Sequence, residues 1–478
     1  MAAKKNDGKK TSAQSKKTAS KSSTKTNVNR VVKAAKKYDA DKSVKDNSSA
    51  IAGVVSAAAT SAKRAQNKKQ RKFFTALTVI LIIAIIAVAV YGYFNGWFDG
   101  VFGGNNFGGN EVNSQTYNAA VIKQQGLSIH FLELGNKYVG DSVYIKAGET
   151  DILIDAGSRQ DSAKTITKYI NQYVTDNKLE YVIATHAHED HVAGFYSTAA
   201  SKGIFDNFKV DTIIDFALSE KTYGGETIGA NTVLGKYLKY RDMEIDEGAA
   251  HYTAAQCFDE EDGAKRVYQL SGDVELEILY NYYYFNYDLN SKGNINAGEN
   301  NYSVCCMINH KVGDGTVNHY LFTGDLEASG EEKLVDYYNG GSNRNVKPLP
   351  QCVLYKAGHH GSKTSSTTKL MSAIKPKYVC VCTCAGTSEY TSIDENQFPT
   401  QDFIDRVAPH TDKVYVTSQV DNYVDKGWSS NGTVKPMNGN VVFTWADGKA
   451  VMYFSNNDIL LKDTEWFKKN RITPPEWK

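Results

Sequence analysis

The sequence predicts an α/β fold in which two β-sheets pack face to face with helices outside. Three observations carry that expectation. Short apolar runs with period-two alternation recur between residues 127 and 454, and segments with helical spacing lie among them. Several of the runs end in loops rich in histidine or aspartate, which is where α/β proteins place their sites. Two such blocks of strands and helices fit a sheet-on-sheet core.

The chain divides unevenly before that core begins. Residues 1–72 hold 17 Lys, 3 Arg and 4 Asp, with no Glu, Phe or Trp, for a net charge of +16. Such a segment cannot bury enough apolar surface to offset its conformational entropy, so it reads as a disordered cytoplasmic tail. Residues 73–91 then run 19 positions without a charge, a length that suits a transmembrane helix of roughly 20 residues. Lys68-Lys69-Gln70-Arg71-Lys72 precedes this stretch and no comparable basic cluster follows closely, so the tail should stay inside and the remainder be exported. Ala87-Val88-Ala89 resembles a cleavage site, which leaves a cleaved leader as the alternative to a permanent anchor. Residues 92–119, rich in Gly, read as a flexible stalk, and 120–478 as one extracellular domain.

The tail takes 20 of the 55 basic and 4 of the 53 acidic residues, so residues 73–478 carry a net charge of −14. That field repels polyanions at long range and disfavours a nucleic-acid substrate. The tail itself could touch anionic lipid headgroups or nucleic acid, or act only as a solvated topology signal. All seven cysteines fall beyond residue 256, without a Cys-x-x-Cys pair, so a thiolate zinc site is not expected. Cys380, Cys382 and Cys384 alternate along a strand and read as small buried side chains. One disulfide after export stays open.

In order, strands are expected over 127–132, 142–147 and 151–155, then a helix over 163–177 with Ile166, Tyr169, Ile170 and Tyr173 on one face. A strand over 181–185 follows, then one over 211–216 and a helix over 232–241. Residues 274–279 alternate as a strand. The aromatic run 280–287 is either a strand burying alternate rings or the rim of a substrate cleft. A hairpin over 303–309 and 319–323 turns at Gly313-Asp314-Gly315, and a helix over 327–338 follows. Strands over 352–357, 378–384 and 413–417 precede a terminal hairpin over 439–444 and 450–454.

The densest chemistry follows the strand at 181–185, in His186-Ala187-His188-Glu189-Asp190-His191. His186 and His188, two apart in extended chain, project to one side and can share a metal. Asp190 and His191 lie further round the turn and are better placed for a second ion. Asp325 ends another strand, where a carboxylate could bridge two metals, and His359 and His360 end a third. Imidazole and oxygen donors without thiolate suit zinc, and also manganese or iron. Two such ions would lower the pKa of a shared water and yield a hydroxide nucleophile, so no Ser or Cys nucleophile is needed. His130, His310, His319 and His410 sit in strand or turn contexts without such neighbours and read as structural.

Leu153-Ile154-Asp155-Ala156-Gly157, His-x-His-x-Asp-His, Thr323-Gly324-Asp325 and Gly358-His359-His360-Gly361-Ser362 occur in that order. In them the chain resembles the metallo-β-lactamase superfamily, and within it the exported hydrolase domain of ComEC-type proteins and phosphorylcholine-esterase-like relatives. The resemblance covers about residues 126–456. It implies a four-layer αββα sandwich and two divalent ions, zinc or manganese. His186 and His188 would hold one ion, Asp190 and His191 the other, and Asp325 both; His360 would complete the second site. Asp190 and His359 would serve catalysis, His359 near the scissile group, although which of His359 and His360 ligates is left open. Asp155 would support the ligand loop through hydrogen bonds. Ser362 and Lys363 could contact a phosphate or carboxylate, or belong to a plain surface loop. Many superfamily members supply a third histidine to the first metal, and the only loop histidine in the matching interval is His251.

The expected function is a membrane-anchored extracellular hydrolase of a small-molecule or cell-envelope phosphoester. A nuclease, an amide hydrolase and a non-catalytic surface protein binding its ligand through the 280–287 run are the alternatives.

Overall fold

Alternation of β-branched and aromatic residues builds the strands of two sheets in the computed structural model. It describes residues 114–478 apart from 297, 341–345, 422, 425–426 and 429–433. The basic tail, the apolar stretch 73–91 and residues 92–113 lie outside the described residues. Among the described residues, no helix is long and apolar enough to cross a membrane.

In chain order come β1 (Ser114–Thr116), β2 (Leu127–Phe131), β3 (Val143–Ala147), β4 (Thr150–Ile154), β5 (Lys178–Ala184), β6 (Lys209–Asp215) and β7 (Ala250–Thr253). Next are β8 (Val267–Gln269), β9 (Val274–Ile278), β10 (Cys306–Lys311), β11 (Val317–Phe322), β12 (Leu354–Lys356), β13 (Tyr378–Ala385) and β14 (Val414–Val420). A small ribbon, β15 (Tyr423–Val424) with β16 (Gly427–Trp428), precedes β17 (Val434–Pro436), β18 (Val441–Ala446) and β19 (Lys449–Phe454). The first sheet has the order β1-β19-β18-β2-β3-β4-β5-β6-β7 and the second β17-β14-β13-β12-β11-β10-β9-β8.

The sheets face each other through aromatic pairs, including Tyr320 with Phe443 at 5.2 Å and Tyr415 with Phe454 at 4.8 Å between ring centroids. Helix Ser162–Ile170 presents buried Ile166, Tyr169 and Ile170 on the side of the first sheet. On the second sheet, β13 sorts its side chains by parity. Cys380 and Cys382 join the core between the sheets, while Val379 and Val381 join a second core shared with the helices Ala328–Tyr338 and Thr368–Ile374. The layers are therefore helix, sheet, sheet, helix, as the period-two pattern requires. All seven cysteines are free and buried, so no disulfide forms.

Three expectations need correction. The folded domain begins inside the stretch read as stalk: β1 pairs in parallel with β19, and Tyr117 bonds Tyr173 at 2.7 Å between hydroxyls. The run 280–287 is not a strand but a tight turn at Tyr282–Tyr284. Asn281 sets it, accepting from the Tyr283 amide and donating to the Asn301 and Ser303 carbonyls. The helix expected to run to 177 ends at Ile170.

Candidate metal centre

Strand direction explains where the chemistry collects. β4 and β5 run parallel, as do β11, β12 and β13, so their carboxyl ends open at one edge of the sandwich. β3 is antiparallel to β4, which brings the residues just before it, Asp141 and Ser142, to the same edge. Asp155 follows β4, His186–His191 follow β5, Asp325 follows β11 and His359–His360 follow β12.

Two features hold these loops together. Gly194, just past the short helix Glu189–Val192, has its α-carbon so close to the Ala156 carbonyl that an added Cβ would sit 2.0 Å from that oxygen. Only glycine lets the His-rich loop press against the Asp155 loop there. Asp155 has φ +58°, a strained setting for a non-glycine residue, and its carboxylate uses both oxygens. One accepts from the Thr185 amide at 2.8 Å, the other from the Thr185 hydroxyl at 2.8 Å and from His191 Nδ1 at 2.7 Å. His191 Nε2 is thereby turned inward.

The inward-facing atoms form two adjoining groups. His186 Nε2 lies 3.0 Å from His188 Nδ1, a spacing at which both nitrogens can face one cation. Asp325 Oδ2 lies 3.2 Å from His191 Nε2 and 3.2 Å from His360 Nε2, and the latter is 3.3 Å from Asp190 Oδ2. His191 Nε2, His360 Nε2 and Asp325 Oδ1 are buried without a hydrogen-bond partner. Buried polar atoms are almost always satisfied, so two unpartnered imidazole nitrogens converging on Asp325 Oδ2 fit a cation. The set of imidazoles and carboxylates suits zinc or manganese.

Of the two adjacent histidines, His360 joins the inner group. It is fully buried, and Nδ1 is held from behind by the Cys382 carbonyl at 2.9 Å and Asp141 Oδ1 at 3.0 Å. His359 is half-buried; its Nε2 is 3.9 Å from Asp325 and its Nδ1 bonds the Thr364 hydroxyl at 2.9 Å. Both residues have positive φ, 45° and 54°.

Electrostatics separates the groups. Burial, reinforced by His191 and its ring partner, holds His186 well below the ordinary histidine range; burial also lowers His188. Both are neutral and ready to ligate. Burial alone would raise the carboxyls, yet His360 and His191 hold Asp190 far below its usual range, and His191, His360 and His359 do the same to Asp325. His191 and His360 are raised despite their burial, because Asp325 faces both.

Asp141 also comes within 4.8 Å of the His191, Asp325 and His360 donors, but its contacts place it behind them. It pairs with buried Lys356 and with the rear nitrogen of His360. Lys356 also donates to the Gly324 carbonyl at 3.3 Å, beside Asp325. Glu299 is buried and accepts from the Ala187 amide at 3.3 Å, between the two histidines, and from the Ser219 hydroxyl at 2.7 Å. Ser303 Oγ accepts from the Asp325 amide at 3.0 Å.

Three residues expected near the site lie apart from the donor group. His251, on β7, gives Nε2 to Asp215 at 2.9 Å, and its register opposite Ile213, itself opposite Val182, puts it two strands away from β5. That is roughly 10 Å across the sheet at 4.8 Å per strand, so His251 does not meet His186 and His188. Ser362 is buried in a turn against Thr364, and Lys363 bonds Asn396 at 2.8 Å on the surface.

Sequence reasoning passed over Asp141, Lys356, Glu299 and Tyr390. A lysine inside the apolar run Val353-Leu354-Tyr355-Lys356-Ala357 is a signal for a buried counter-ion. Tyr390, whose hydroxyl donates to Asp190 Oδ2 at 2.6 Å, comes from a loop 200 residues away and has no such signal.

Residues 135–199, which contain Asp141, Asp155 and the whole His-rich loop, match the family model described as metallo-β-lactamase superfamily. The resemblance is to metallo-β-lactamase superfamily hydrolases. Among curated proteins, the competence protein ComA of Neisseria gonorrhoeae is 35% identical over 97 residues, in keeping with a ComEC-type relative. The alignment takes in 20% of this chain and 12% of that protein, so it spans only a small part of its relative. Solved structures with likeness include a motif mutant of the metallo-β-lactamase from Cronobacter sakazakii, 18% identical, over 39% of this chain and 58% of that one, TM-score 0.23. The subclass B3 metallo-β-lactamase MEM-A1 from a soil metagenome library is 15% identical over 48% and 76%, TM-score 0.27. At these scores they carry no argument, and the superfamily likeness stands on the matched segment.

Proposed function

We propose that this chain is a membrane-anchored, extracellular, binuclear metal-dependent phosphoester hydrolase. The observation that supports it most is Asp325, whose Oδ2 lies between His191 and His360 while the His186–His188 pair adjoins them. His186 and His188 would hold one ion, Asp190, His191 and His360 the other, with Asp325 shared. Bound there, zinc or manganese would supply Lewis acidity and a nucleophile from water at neutral pH. The chain's own residues do the rest: Asp155 and Asp141 fix the inward nitrogens of His191 and His360, Lys356 balances the buried carboxylates, and Glu299 holds the backbone between His186 and His188. His359, half-buried beside Asp325, is open to a substrate oxygen. The apolar stretch 73–91 and the basic residues before it support the anchor.

The test is hydrolysis of bis-p-nitrophenyl phosphate by the full chain with zinc or manganese. His188→Ala should remove most of the rate, and full activity in that variant sinks the mechanism. The similarity to a competence protein favours one second reading, a nuclease. Digestion of single-stranded DNA by the wild type, lost in Asp190→Ala, would put that reading first against the −14 charge of residues 73–478.

A further inference from the structure

The loop after β13, residues 386–398, crosses in front of the donor group from the second sheet. Glu389 pins it, accepting from the Val139 amide at 2.6 Å and pairing with Arg159, which also reaches Glu189 in the His-rich loop at 3.4 Å. Phe398 closes its far end, with its ring centroid 5.6 Å from His359 and 6.1 Å from His360. Between these anchors Tyr390 is 55% exposed, yet its hydroxyl points inward to Asp190 Oδ2, 2.6 Å away. A tyrosine retained for packing buries its ring; this one leaves much of the residue in solvent and commits its hydroxyl to the donor group. The ring sits 6.0 Å from Phe398, so the phenol is oriented from one side by an aromatic neighbour and from the other by Asp190.

We propose that Tyr390 is a substrate-contacting catalytic residue of this site, donating its phenolic hydrogen bond to the leaving-group oxygen of a phosphodiester; this rests on the phosphoester reading above. His360 Nε2, 3.3 Å away, closes the buried side of Asp190 Oδ2, so a substrate reaches that oxygen from the side on which Tyr390 stands. With a cation held at Asp190, that carboxylate would be a weaker acceptor and the phenol would be free for an arriving oxygen. In the reaction water forms the new P–O bond, and the bond to the leaving oxygen breaks with its electron pair remaining there. The proton that water releases balances the one the leaving oxygen gains from solvent. Tyr390 supplies a hydrogen bond to the developing negative charge and transfers no proton. A donor aimed at developing charge accelerates the reaction more as that charge becomes less stable.

The experiment compares wild type and Tyr390→Phe, as full chains with zinc bound, on diphenyl phosphate and on bis-p-nitrophenyl phosphate. The first expels a much more basic leaving group. The variant should lose about tenfold in kcat/KM on diphenyl phosphate and less than about twofold on the nitrophenyl ester, with metal content and thermal midpoint unchanged. Equal losses on both esters, or no loss on either, overturn the assignment of Tyr390 while leaving the phosphoester reading in place. A metal-loaded wild type inactive on both esters overturns the reading and the assignment with it.

Discussion

Asp155 illustrates how much one residue contributes without facing the donor group. It follows β4 in a left-handed backbone conformation, and that places one carboxylate against three donors: the Thr185 amide and hydroxyl and His191 Nδ1. In Asp155→Asn one oxygen becomes an amide nitrogen, so at least one of those donors meets another donor. His191 then loses the fixed orientation of its inward nitrogen. Metal affinity should fall by about 10- to 100-fold, measured by competition with a chromophoric chelator; an unchanged affinity would show that Asp155 serves only the backbone. Asp155 was legible because it closes an apolar strand in Leu153-Ile154-Asp155-Ala156-Gly157. Asp141 was not, although it lies as close to the donors, because Gly140-Asp141-Ser142 precedes a strand and looks like any turn. Direction along the sheet, not local sequence, brings it to the site.

Among the elements, the helix Ala328–Tyr338 does more than cover the second sheet. Its Glu331 is fully buried and accepts from the Ser366 and Thr367 amides at 2.6 and 2.7 Å, where the chain leaves the His359–His360 loop and enters the helix Thr368–Ile374. Burial pushes the Glu331 carboxyl up to about 7, against the lowering effect of those amides. Its folded-state pKa therefore lies above the unfolded value of 4.5. The folded state binds more protons between these values, so this group's contribution to stability is greatest below pH 4.5 and declines as pH rises to about 7. Subtracting the unfolding free energies of Glu331→Gln from those of the wild type should isolate a decline on the order of 1–3 kcal/mol across that window. A difference that stays flat with pH would mean that Glu331 is ionised throughout. The long strands around this helix were readable from alternation, and so was the helix itself from Leu334 and Val335. The edge strands β1, β7 and β8, of three or four residues, and the helix Ala254–Asp259 were not, since so few residues establish no period.

For the whole domain, the donor group is a joint between the two sheets. The first sheet supplies His186, His188, Asp190 and His191, the second Asp325 and His360, and ordinary bonds cross beside them, from the Val304 amide to the Thr185 carbonyl at 2.9 Å. Without a cation the joint concentrates buried carboxylates balanced by Lys356 and by His191 and His360. A cation that binds the folded chain and not the unfolded one adds RT ln(1 + [L]/Kd), about 4 kcal/mol at a thousandfold excess over Kd. For a domain of this size that corresponds to a rise of about 5 °C in the thermal midpoint. Calorimetry of the full chain should show that rise when zinc is added after chelation. Asp325→Asn, which weakens the carboxylate facing both His191 and His360, should abolish most of it while still folding. If zinc raises the midpoint of that variant by the same amount, the stabilising ion sits elsewhere, and the two sheets are joined by packing and hydrogen bonds alone.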